Sequence, residues 1–156
     1  MRLLEETGKL VKWKMGILEK MDTRTLVDQL SILEAEVVRL QKEELEYKNK
    51  NRGLIAGADS DCSMVKTKLA ELWLQTDGML ASDGKKAATQ ADKEAWLRQQ
   101  RTTNTELVTL ITGQQKVLAS IESFRLEIET AKKRVETTLA VIRLKTAQIE
   151  FLGRSY

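Results

Sequence analysis

The apolar positions of the C-terminal half repeat every seven residues. Ile121, Ile128, Val135, Ile142 and Ile149 form one series. Phe124, Ala131 and Leu152 fill companion positions three residues further on, with Thr138 and Lys145 in the other two and Leu139 beside them. Alternating steps of three and four place these side chains on one stripe of an α-helix, the spacing of a coiled-coil seam. The stripe extends back through Val117/Leu118, Leu110/Ile111 and Leu107, which predicts one helix over residues 84–152, closed by Gly153. The first half carries a second stripe: Leu26, Leu30, Leu33, Val37 and Leu40, with Asp22 or Thr23 as candidate N-cap. It weakens through Glu44, Tyr47, Asn51, Leu54, Ala58 and Asp61, and resumes at Val65, Leu69 and Leu72. No Gly or Pro interrupts Ile17 to Arg52, so a helix running straight through is the other possibility there.

Between the stripes lies Gln75 to Gly84, with two Asp-Gly pairs and a Ser, the one concentrated turn signal in the chain. Gly78 suits the left-handed end of a helix, and Ser82 or Asp83 suits the start of the next. The predicted fold is therefore all-α, a long antiparallel helical hairpin of the coiled-coil type: arm one 22–77, turn 78–84, arm two 84–152. Residues 1–21 carry their own stripe (Leu4, Leu10/Val11, Leu18), out of phase with the Leu26 seam across Met21-Asp22-Thr23. That divides the chain into an N-terminal amphipathic helical extension, 1–21, and a hairpin domain, 22–156. The extension either pairs with the end of the second arm or folds back. In the hairpin register the small and polar stretch Asn51 to Gly57 falls opposite residues 105–113, which include Thr109, Thr112 and Gly113.

Composition sharpens this picture. There is no proline, and aromatic residues make up only 4% of the chain. Yet large apolar residues gather near the turn: Leu69, Leu72, Trp73, Leu74, Met79, Leu80, Trp96 and Leu97. A two-helix seam covers only one stripe per helix. Either the tip kinks to make a small core, or Leu72, Trp73, Met79, Leu80, Trp96 and Leu97 form an interface for a protein partner or a second copy. Net charge is +3, with a basic excess in residues 1–24 and 83–156 and an acidic excess between. Lys48, Lys50 and Arg52, and Lys132, Lys133 and Arg134, are candidate phosphate contacts, as are Lys9, Lys12 and Lys14. Aromatic stacking platforms, which single-strand readers use, are limited to Trp13 and Tyr47 near these clusters.

Catalytic chemistry is poorly supplied. With no histidine, imidazole-dependent catalysis and histidine metal ligation are excluded. Cys62, alone of its kind, follows Asp59-Ser60-Asp61, which disfavours a thiolate. The stretch Asp77 to Lys86 lacks the ligand spacing of a calcium loop and the Gly-Lys-Ser/Thr of a phosphate loop. In Glu43-Glu44-Glu46 and Glu127/Glu129, neighbours one or two residues apart point in different directions on a helix, so they are not preorganised acid–base pairs. No cofactor, metal or small-molecule substrate is expected. No apolar run approaches the ~20 residues that cross a bilayer, so no membrane contact is expected and a cytoplasmic location is.

Leu69-Ala70-Glu71-Leu72-Trp73-Leu74, the turn Ser82-Asp83-Gly84-Lys85-Lys86-Ala87-Ala88-Thr89, and Ile121 to Leu152 with Ile149-Glu150-Phe151-Leu152-Gly153 at its end resemble small coiled-coil proteins encoded by bacteriophages and prophages. The likeness covers residues 25–153. It implies a helical hairpin encoded among phage genes for DNA replication and recombination, with no catalytic set to carry over. The expected function is a non-enzymatic accessory protein that acts through helical surfaces, in phage DNA metabolism or as an inhibitor of a host defence factor. A non-specific DNA-binding protein and a structural spacer or scaffold are the alternatives.

Overall fold

In the computed structural model, which describes residues 20–57 and 59–154, the fold is all-helical. Four α-helices follow one another among the described residues: α1 (Thr23–Lys50), α2 (Ser63–Leu74), α3 (Gln90–Thr103) and α4 (Thr105–Arg154). A 3₁₀ turn spans Arg52–Leu54. No described helix is long and apolar enough to cross a membrane. The amphipathic extension expected over residues 1–21 lies outside the described residues, except at its last two positions. The chain divides into two compact units, Met1–Glu44 with Phe124–Tyr156, and Leu45–Ser123.

The first unit packs the seam residues of α1 and α4. Leu26, Leu33 and Leu40, spaced by sevens, are buried on α1, with Leu30 and Val37 half-buried between them. Leu40 clusters with Ile128 and Ala131 of α4, and Val37 packs against them. Burial along α4 passes through Ile128, Ala131, Thr138 and Val141. Val141 is buried where the strict repeat of seven places Ile142, which is half-buried. Thr138 tolerates the seam because its hydroxyl donates to the Arg134 carbonyl at 2.9 Å, so no polar atom is left unpaired. Before α1, Met21 and Asp22 leave the helix. The straight-through alternative is not taken: Asp22 Oδ1 accepts from the Thr25 amide at 2.7 Å and caps the first turn.

The second unit departs from the sequence expectation in three places. The first arm is not one helix to residue 77: α1 ends at Lys50, and the chain runs through the 3₁₀ turn and a loop to Cys62, the N-cap of α2. The second arm does not begin at residue 84, and neither Ser82 nor Asp83 caps it. Its first helix starts at Gln90, where Thr89 Oγ1 accepts from the Asp92 amide at 3.2 Å and Asp92 Oδ2 accepts from the Thr89 amide at 2.9 Å. This reciprocal capping box satisfies two free amides at once. Nor does that helix continue to Leu152. It ends at Asn104, whose amide donates to the Gln100 carbonyl and whose Oδ1 accepts from the Leu107 amide at 3.1 Å. One residue thus closes α3 and opens α4. At the far end Gly153 lies inside the last turn of α4 rather than closing it.

The turn itself is a short hairpin. The Ala81 amide donates to the Lys86 carbonyl at 2.8 Å and the Ala88 amide to the Met79 carbonyl at 2.9 Å, around a single bridge between Leu80 and Ala87. Asp83 Oδ1 accepts from the Lys85 and Lys86 amides, which holds its carboxyl below the usual carboxylate range. Gly78 and Gly84 both adopt left-handed backbone, φ 74° and 71°, the conformation that costs glycine least.

Candidate interaction surfaces

The second unit answers what the apolar residues near the turn do. Val65, Leu69 and Leu72 share one face of α2, and Leu107, Leu110 and Ile111 one face of α4. Cys62, Val65, Leu72 and Leu107 are the buried centre, closed by Leu54, Ala56, Leu69, Trp96, Leu97, Leu110 and Ile111. Leu72 is therefore core, and it leaves the expected interface. Trp96 and Leu97 are half-buried against that core, and Met79 is half-buried in the turn. What remains outside is Trp73 at 36% exposure, Leu74 at 74% and Leu80 at 54%.

Polar contacts fasten the loop before α2. Gln114 of α4 presents both ends of its side-chain amide to this loop: Nε2 donates to the Ser60 carbonyl at 2.8 Å, and Oε1 accepts from the Cys62 amide at 3.0 Å. Arg101 forks onto Asp61, with nitrogen–oxygen distances of 3.1 and 2.6 Å. Hydrogen bonding to Arg101 holds the Asp61 carboxyl below its ordinary range. Lys68 bonds Glu106 and lies 3.7 Å from Glu71. Gly113 stands against Leu54, where the sequence register placed two weak layers together. Gln114→Ala is expected to destabilise the unit by about 1–2 kcal/mol, since two backbone groups lose their partner. Gln114→Glu should retain part of that, because it keeps the acceptor for Cys62 and loses the donor to Ser60. Urea unfolding of the three proteins checks the order.

The basic candidates are exposed but divergent. Lys50 and Arg52 face solvent, with Arg52 Nη2 reaching Asn49 Oδ1 at 3.4 Å, while Lys48 is half-buried and engaged within the chain. Lys132, Lys133 and Arg134 are exposed on α4. Successive helical residues turn by about 100°, so these three fan around the outer surface and do not converge on one phosphate. Lys9, Lys12 and Lys14 lie outside the described residues.

One surface went unnoticed in the sequence. Ile149 and Leu152, expected in the buried seam, are exposed, as are Leu144 and Phe151, the last at 71%. Leu144, Ala147, Gln148, Phe151 and Leu152 line an open apolar depression of about 400 Å³. Comparison of the chain with protein-family models, with curated proteins and with solved structures finds no match, so these surfaces stand on their own geometry.

Proposed function

We propose that this chain is a non-enzymatic accessory protein that binds a protein partner through the turn end of its second unit. The observation that carries this reading is the exposed group Trp73, Leu74 and Leu80, left over after the neighbouring Leu72, Trp96 and Leu97 have packed into the local core. Aromatic and large aliphatic side chains concentrate binding energy when a partner desolvates them. A phage-type role, in DNA metabolism or against a host factor, is what the resemblance implies for that partner. The hairpin reading is supported locally: Leu40 meets Ile128 and Ala131, and the charge of Lys145 contributes, after the hydrogen bonds from Thr25, to lowering the Asp22 pKa. Falling numbers on α1 thus accompany rising numbers on α4 in the first unit, the sense of an antiparallel pair.

Leu74→Asp tests the reading. At this exposure the substitution should change stability by no more than about 0.5 kcal/mol. Partners crosslinked to the wild-type chain should be lost at least tenfold with Leu74→Asp and retained with Leu126→Asp, an equally apolar exposed position in the other unit. Equal capture by all three proteins overturns it. Titration against labelled DNA at two salt concentrations examines the alternative: saturable binding that weakens steeply with salt, abolished by charge reversal at Lys132, Lys133 and Arg134, would transfer the function to phosphate contacts.

A further inference from the structure

The turn of the second unit holds the chain's two Asp-Gly pairs, Asp77-Gly78 and Asp83-Gly84. In such a pair the main-chain nitrogen of the glycine can attack the aspartyl side-chain carbon, because the glycine has no Cβ to obstruct the approach. Both pairs are exposed, and both glycines have left-handed backbone with open space beside them. What separates the pairs is hydrogen bonding. The Gly84 amide donates to the Ala81 carbonyl at 2.9 Å, and Asp83 Oδ1 accepts from the Lys85 and Lys86 amides at 3.0 and 3.2 Å. The attacking nitrogen there is engaged, and the carboxyl is turned onto other amides that favour its ionised form. A carboxylate is a poorer electrophile than the neutral acid. Among the described residues, neither the Gly78 amide nor the Asp77 carboxyl has a hydrogen-bond partner.

We propose that Asp77-Gly78 is a site of spontaneous main-chain isomerisation to isoaspartate, from which the fold shields the chemically identical Asp83-Gly84. In this reaction the Gly78 nitrogen bonds to Asp77 Cγ and gives up its proton. The bond from Cγ to its hydroxyl oxygen breaks, and one water leaves. A second water then opens the cyclic imide. Attack on the Cγ carbonyl restores aspartate; attack on the main-chain carbonyl of residue 77 leaves the chain running through the side chain. Water lost equals water gained, so the composition of the protein is unchanged and no other reactant is needed. The product carries one extra methylene in the main chain between α2 and the hairpin, and a free carboxyl on the Cα of residue 77. That insertion falls inside the turn closed by the Met79 amide donating to the Thr76 carbonyl at 3.0 Å.

Ageing the full chain tests this. The protein is kept at mildly acid pH and physiological temperature, then unfolded and cut with a protease that cleaves before aspartate and not before isoaspartate. Electron-transfer fragmentation of the peptides assigns each isoaspartate to its position. Cleavage before Asp77 should be lost at least tenfold faster than cleavage before Asp83. When the chain is aged in urea, which removes the hydrogen bonds around Asp83 and Gly84, the two rates should converge. Equal rates in the folded chain overturn the proposal, as does full retention of both cleavages. A tenfold preference for Asp77 that persists in urea overturns it as well, since the selectivity then belongs to the neighbouring residues and not to the fold.

Discussion

Leu107→Ala is expected to destabilise the second unit by about 3 kcal/mol. Leu107 is 0% exposed and sits in the buried centre with Cys62, Val65 and Leu72, the point where α2 and α4 are held together. Truncation there removes the transfer energy of the lost methyl groups and leaves a cavity that rigid neighbours refill only in part, a combination that costs about 2–5 kcal/mol. Trp73 and Trp96 both belong to this unit, so in a Trp13→Phe background tryptophan fluorescence during urea unfolding reports it directly. Leu126→Ala, at 53% exposure on the same helix, supplies the comparison and should stay within about 0.5 kcal/mol. A loss below about 1 kcal/mol at Leu107 would mean that the cluster is not the unit's core.

The opposite change should harm the first unit. Ala131 is 3% exposed and packs with Leu40 and Ile128, where a small side chain lets α1 and α4 approach. Ala131→Leu inserts three carbons into filled space. The helices must separate or adopt poor rotamers, at a cost of about 1–3 kcal/mol despite the added apolar area. Ala140→Leu makes the identical chemical change at an exposed position and is expected to be near neutral. Circular-dichroism melts of both variants, followed on the helical signal, decide the matter. Equal melting temperatures would show that Ala131 does not set the helix separation.

The seams were legible because burial needs only the right spacing. Leu26, Leu33 and Leu40 could be read directly, and so could Ile128, Ala131 and Thr138 of the α4 stripe, but neither the burial of Val141 nor the exposure of Ile149 and Leu152. Boundaries were harder. Thr89 and Asn104 end or start helices through single side-chain bonds to backbone amides, and such bonds leave no periodic trace. The apolar stripe running back to Leu107 encouraged a continuous second arm, although Thr102-Thr103-Asn104-Thr105, a run of weak helix formers that includes a good cap, was the available sign. The turn-end residues were recognised as too many for one seam, but their division into a core and a remainder depended on α1 ending at Lys50. That opens room for Leu54 and Ala56, and for Gln114 to bind the loop. The weak positions Asn51, Gly53 and Gly57 marked the place without saying that the helix would stop there.

Asn104 also changes how order spreads along the chain. Within an unbroken helix each residue adds its hydrogen bond to a growing ladder, and melting at one point propagates to its neighbours. At Asn104 the ladder of α3 terminates on one side of the residue and that of α4 restarts on the other. Fraying that begins near the turn therefore meets a firebreak there. The fourteen residues of α3 can lose their helical hydrogen bonds as a block while the fifty of α4 keep theirs.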